Sequence, residues 1–290
     1  TNELYSAFIP ITGGYQNVGF SKSNDQGVSW TFMSYVNAGT YSGTQWGAAP
    51  AVGPNPNDLY VVWENDMGVF FQKSYTNGNS WQPVDMQIKA WNNSTNGFDC
   101  MPSIGCDISG GAFTGNIYIV WWEKDVNGTD TDVYLAKSNN GGAFFTISTI
   151  ASDINTDQKI PQLTIDQTTG NVYVVYYSQS GTTSKYDVNL AYSTDGCSTF
   201  VNTRISQMPA TLYNWYHHYI GNSAVNGVIR PAWTSTDSLY TALISEATLL
   251  ACVKEHDFNV QSAVNIYPNP SNGIFYMNSD YDGEVQIMNA

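Results

Sequence analysis

The chain has 290 residues and a formal charge of −14, with ten Lys and Arg against 24 Asp and Glu. So few cations cannot build the basic face that nucleic acid requires, and they disfavour adsorption to anionic lipid. Hydrophobic residues at 42% allow a full core, and 14% aromatic with 12% charged residues suits short strands and tight turns better than surface helices.

In chain order, "ELYSAFIPIT" (3–12) reads as a strand and is followed by "SNDQGVSW", Ser23 to Trp30. Close variants of this octet begin at 74, 138 and 193: "SYTNGNSW", "SNNGGAFF" and "STDGCSTF". Each later copy stands in the same context. A proline-bearing segment comes first ("AAPAVG" 48–53, "CMPSIG" 100–105, "KIPQLTID" 159–166). An apolar strand follows ("DLYVVWEND" 58–66, "NIYIVWWEKD" 116–125, "NVYVVYYSQS" 171–180), then a third strand directly before the octet ("VFFQKS", "DVYLAKS", "DVNLAYS"). After every octet comes a fourth: "WTFMSYV", "WQPVDMQI", "FFTISTI" and "FVNTRIS". The unit is four strands with a hairpin between the third and fourth. Its intervals of 51, 64 and 55 residues suit β-propeller blades. A fifth unit at 217–244 has no octet, and "ELYSAFIPIT" matches a second strand with no first strand before it. Five units are therefore expected, the outer two partial.

The octet reads as a joint. Its third residue can accept hydrogen bonds from turn amides, a glycine supplies positive φ, and the closing aromatic can bury its ring between neighbouring sheets. The residues assigned these roles are Ser23, Asp25, Gly27 and Trp30; Ser74, Asn77, Gly78 and Trp81; Ser138, Asn140, Gly141 and Phe145; and Ser193, Asp195, Gly196 and Phe200. The pattern resembles the Asp box, or BNR repeat, of sialidase-like propellers, over roughly residues 1–245. Asn77 and Asn140 replace the acid, Phe145 and Phe200 replace the tryptophan, and Gly196 comes one place early.

Beyond 245 the repeat stops. Residues 246–263 read as a polar linker. Tyr267, Pro268, Asn269, Pro270 and Gly273, within 264–290, resemble the start of a type IX secretion C-terminal sorting domain, cut short. That resemblance implies export to the exterior of a Bacteroidota-type bacterium. The partners would be the type IX translocon and shuttle proteins, and the product would be secreted or displayed at the cell surface. No apolar run reaches the ~18–20 residues of a membrane helix, and any export leader has been removed or lies upstream.

Chemistry is harder to find. The sialidase family clamps a carboxylate with three arginines, whereas this chain contains Arg204 and Arg230 alone, so sialidase activity is not expected. Glu64 and Glu123 follow the second strand at matching places and read as repeat consensus rather than a catalytic pair. Asp125, Asn127, Asp130 and Asp132, in "DVNGTDTD", offer oxygen ligands suited to calcium, the one cofactor considered. Trp215, Tyr216, His217 and His218 form the densest aromatic and histidine stretch and are the candidate binding residues. Adjacent His217 and His218 would face opposite sides of a strand, and His256 is the one other histidine, which argues against zinc. Cys100 and Cys106, separated by roughly 20 Å if extended, cannot pair without a break in the strand. The expectation is an all-β propeller that binds a glycan or a surface protein, leaning away from catalysis. The alternative is a glycoside hydrolase of unknown specificity.

Overall fold

The computed structural model describes residues 3–11, 15–39, 43–92, 100–125, 127–153, 155–181, 183–206, 209–211, 220–235, 238–241, 244–245, 265–267 and 276–278. Every regular element among them is a strand, and the strands form consecutive antiparallel sheets. The first sheet has three strands, β1 (Leu4–Phe8), β2 (Gly19–Ser23) and β3 (Thr31–Tyr35). The second runs β4 (Trp46–Val52), β5 (Leu59–Asn65), β6 (Gly68–Ser74), β7 (Met86–Ala90). The third runs β8 (Ser103–Cys106), β9 (Ile117–Lys124), β10 (Thr131–Ser138), β11 (Thr146–Ala151). The fourth runs β12 (Gln158–Ile165), β13 (Val172–Gln179), β14 (Lys185–Ser193), β15 (Val201–Arg204), with the short β16 (Ala210–Thr211) also on β14. The fifth has β17 (Ile220–Val225), β18 (Val228–Ser235) and β19 (Ser238–Thr241), with β20 (Ile244–Ser245) on β18. A separate pair, β21 (Asn265–Tyr267) and β22 (Tyr276–Asn278), lies in the tail. The four-strand unit recurs as expected, and among the described residues no strand precedes β1 in the first sheet.

The second strand of each complete unit is buried on both faces, which is why it reads as an unbroken apolar run. First strands neighbour one another in series, β4 with β8, β8 with β12 and β12 with β17. Each gap between sheets holds its own core. Phe20, Val61 and Trp63 fill the first, and Phe71, Ile117 and Trp121 the second. Leu135, Leu163 and Val174 fill the third, and Tyr177, Leu190 and Ile229 the fourth. A fully buried side chain of this size contributes about 1.5–3 kcal/mol.

All four octets close the same way. The serine hydroxyl accepts the amide of the fifth residue, Gly27 (2.8 Å), Gly78 (3.0 Å), Gly142 (3.0 Å) and Cys197 (2.9 Å). The third side chain accepts the amide of the seventh: Asp25 from Ser29, Thr76 from Ser80, Asn140 from Phe144, Asp195 from Thr199. The acceptor of the second copy is thus Thr76. Asn77, expected there, is the fourth residue, in the left-handed region at φ 56°. Fourth and fifth residues are left-handed in every copy, so Gly141 and Gly196 hold the position of Gln26, while Gly142 and Cys197 hold that of Gly27. Bonds from Ser29 hold the exposed Asp25 carboxyl down to about 2, and bonds from Thr199 hold Asp195 well below the usual carboxylate range.

The turn also grips the preceding sheet. A Cβ on Gly142 would stand 2.6 Å from the Phe71 ring, and one on Gly78 would strike Phe20. The position of Phe20 and Phe71 is occupied by Leu135 in the third sheet, and there the fifth octet residue ahead is Cys197, in the same core. A smaller neighbour admits the larger turn residue. Lys73 donates to Gly141 O of the next octet (3.0 Å), and Lys137 likewise to Gly196 O. Trp81 meets Phe20 edge-on at 5.1 Å and Phe145 meets Phe71 at 5.1 Å. Trp30 departs from this expectation. It is 46% exposed, because no sheet among the described residues precedes the first. Cys100, Cys106 and Cys197 are buried, and Cys106 and Cys197 are free thiols.

Candidate functional site

Antiparallel strands put the octets and the first-to-second turns at one end of the sheets. The second-to-third hairpins and the crossovers between units lie at the other. The opposite end from the octets carries the clustered polar chemistry.

At that end β12 is broken. The ladder shifts between Lys159 and Gln162, and Ile160 is left-handed at φ 55°, an uncommon state for a β-branched residue. Lys159, beside this bulge, meets Asp157 Oδ2 at 2.6 Å and the Tyr186 hydroxyl at 3.5 Å. Its ammonium stands 5.5 Å from the Trp122 ring centroid and 5.7 Å from that of Tyr186. The other oxygen of Asp157 accepts from Thr131 N (3.1 Å) and Oγ1 (3.0 Å), tying the fourth sheet to the third. Burial is the largest influence on each and opposes both charges, but the bonds and charge of Lys159 with the Thr131 bonds together lower Asp157, and the bonds and charges of Asp157 and Tyr186 together raise Lys159. Burial raises the Tyr186 phenol.

Trp122 is the hub. It packs against three of the cores between sheets, and its Nε1–H is buried without a hydrogen-bond partner. An aromatic wall, an ammonium, a carboxylate and a phenol within one partly exposed cluster can hold a hydroxyl-rich ligand. Nearby, Arg204 pairs with Asp187 at 2.8 Å, so this arginine does not stand ready as a carboxylate clamp. A cleft of about 250 Å³ between Lys73, Gln82, Met86 and Gly142 lies by the octets, away from this cluster.

The two glutamates are not equivalent. Val62 and Val120 hold matching places, pairing with Phe71 and Leu135, so Glu64 corresponds to Trp122 and Glu123 to Asn65. One residue of offset turns the side chains to opposite faces. Glu64 accepts from Cys100 N and Met101 N, both at 3.2 Å, at the entry to the next sheet. Glu123 points back to the second sheet, accepting from Asn92 N (3.2 Å) and standing 3.6 Å from Lys89 Nζ. Burial raises its carboxyl despite Lys89. Both act as anchors of backbone and lysine.

In the acidic loop, Asp125 accepts from Thr129 N at 2.8 Å, Asp130 from Asn155 N at 2.6 Å and Asp132 from the Tyr134 hydroxyl at 3.3 Å. Asn127 donates to Asp125. Their hydrogen bonds are made within the loop and to its neighbours, and among the described residues no three His, Cys, Asp or Glu side chains gather as a metal cluster. Trp215, Tyr216, His217 and His218 lie outside the described residues, as do Pro268, Asn269, Pro270 and Gly273. Sequence reasoning missed Lys159, Asp157, Tyr186 and Trp122. The doubled tryptophan at 121–122, where the other complete units carry Trp63 with Glu64 and Tyr176 with Tyr177, was the available signal.

No family model and no curated protein matches the chain. Solved structures do. The chain is similar to an α-L-arabinanase of Penicillium chrysogenum complexed with arabinobiose (TM-score 0.56, 15% identity, 83% of this chain and 74% of that one). It is also similar to the Hadza microbial sialidase Hz136 (0.56, 11%, 80% and 53%), of which it spans about half the length. An α-L-arabinofuranosidase of Fusarium graminearum matches at 0.54 and 12% identity, over 84% of this chain and 72% of that one. The fold is of the β-propeller kind. Its units are blades, and the Lys159 cluster joins blades three and four at the end away from the octets.

Proposed function

We propose that this chain is a carbohydrate-active propeller of the glycoside-hydrolase type, which takes a glycan against Trp122, Lys159, Asp157 and Tyr186. The observation that carries the reading is that cluster, with aromatic faces for a sugar ring and polar groups for its hydroxyls, on a fold shared with arabinanase and arabinofuranosidase. A second reading, glycan binding without turnover, is favoured by one fact. Glu64, Glu123 and Asp157 are each already held by amides or lysines, so no opposed free carboxylates stand at the cluster among the described residues. Export as type IX cargo, through Tyr267 to Gly273, belongs to the same proposal and is supported by sequence resemblance.

The test is reducing-sugar release from arabinan and from nitrophenyl furanosides and pyranosides, with calorimetric binding of the same glycans. Release abolished in Asp157→Asn supports hydrolysis. Binding lost in Trp122→Ala, without any release by the parent protein, supports the second reading. A parent protein that neither cleaves nor binds any glycan defeats both.

A further inference from the structure

At the octet end, the first turn of each blade meets the next blade, and one acceptor there has no donor. Asp107 is 0% exposed. Its Oδ1 accepts from Ser109 N at 2.8 Å, while its Oδ2 is buried without a hydrogen-bond partner. The equivalent residue one blade on is Asp166, whose Oδ2 accepts from Gly227 N at 2.6 Å. The difference lies in the turn ahead. Asp166 faces the two-residue turn Asn226–Gly227, which presents an amide. Asp107 faces the longer turn from Asp166 to Asn171, where the Gly170 amide is spent on Asp166 O at 2.7 Å.

Ser109 Oγ, which accepts from Gly111 N at 3.1 Å, faces the same spot as Asp107 Oδ2. A Cβ built on Gly170 would stand 3.2 Å from each oxygen, closer than ordinary contact, so only a glycine fits beside them. None of the ion pairs among the described residues involves Asp107. A buried carboxylate lacking a cation or donor is costly, and oxygen donors of this hardness select calcium-like ions.

We propose that a hard divalent cation of the calcium type lies between these oxygens, bound by Asp107 Oδ2 and Ser109 Oγ of the blade-three turn, where that turn abuts Gly170 of blade four. The site is separate from the acidic loop of Asp125 and from the Lys159 cluster, and it stands whether or not glycans bind.

Terbium luminescence, sensitised by nearby tyrosines and displaced by calcium, reads the site directly, and thermal unfolding in calcium against EDTA reads the linkage. The expected result is a calcium-dependent rise in melting temperature and a displaceable terbium signal, both lost in Asp107→Asn. The same variant should melt below the parent in calcium, yet at or above it in EDTA, where neutralising an unpaired buried carboxylate is favourable. Ser109→Ala, which keeps Asp107, should weaken calcium several-fold, while Asp125→Asn should leave the response unchanged. No terbium or calcium response in the parent would overturn the proposal. So would a response that survives in Asp107→Asn, or an Asp107→Asn variant equally stabilised in both buffers, the signature of a bound water.

Discussion

Replacing Gly142 by Ala tests whether the octets join the blades. Gly142 sits at φ 71°, where an L side chain costs roughly 1–2 kcal/mol. The added methyl would also stand 2.6 and 2.7 Å from two carbons of the Phe71 ring, and overpacking of that kind costs about 1–3 kcal/mol. The single variant should therefore lose roughly 2–5 kcal/mol. Phe71→Leu alone should cost about 1–1.5 kcal/mol, as a near-conservative core change. In the double variant the clash disappears while the backbone penalty stays, so the loss should fall short of the sum by about 1–3 kcal/mol. Urea unfolding followed by tryptophan fluorescence supplies the four free energies. Additivity within about 0.5 kcal/mol would refute the argument that turn and preceding ring share one volume.

The reciprocal change, Leu135→Phe, should destabilise the third core and be tolerated once Cys197→Gly restores the glycine, by the same unfolding measurement. Acidification should weaken the join between blades three and four. Because the folded-state pKa of Asp157 is lowered, its stabilisation is complete above the ordinary carboxylate value of ~3.9 and is lost as pH falls through the folded value. Asp157→Asn should flatten that acid limb of a stability profile. Glu123 has the opposite sign. Its raised carboxyl makes stability decline as pH climbs past the ordinary glutamate value of ~4.3, and Glu123→Gln should remove that decline. Cys106 and Cys197, buried and with thiols pushed up to about 12, should resist alkylation at pH 8 until the chain unfolds, as read by mass spectrometry.

The errors of the sequence reading have a common origin. Side-chain likeness to the acid assigned the acceptor role to Asn77, whereas both the count along the octet and hydrogen-bond closure give the third residue, Thr76. Aligning "VVWEND" with "IVWWEKD" by their glutamates made Glu64 and Glu123 equivalent, although ladder pairing aligns Val62 with Val120 and separates the acids by one place. The Lys159 cluster was not legible at all. Trp122, Asp157, Lys159 and Tyr186 come from three strands and a crossover in two blades, and no local pattern links them.

Strand alternation, spacing and the repeated turns were enough to determine the all-β class, the four-strand unit and the order of sheets, since each depends on contacts close in the chain. Which carboxylates are spent, which indole keeps a free N–H and where Asp107 lacks a donor were decided only by how one blade seats on the next. Those are facts of desolvation and register across interfaces, and neighbouring residues along the chain carry no record of them.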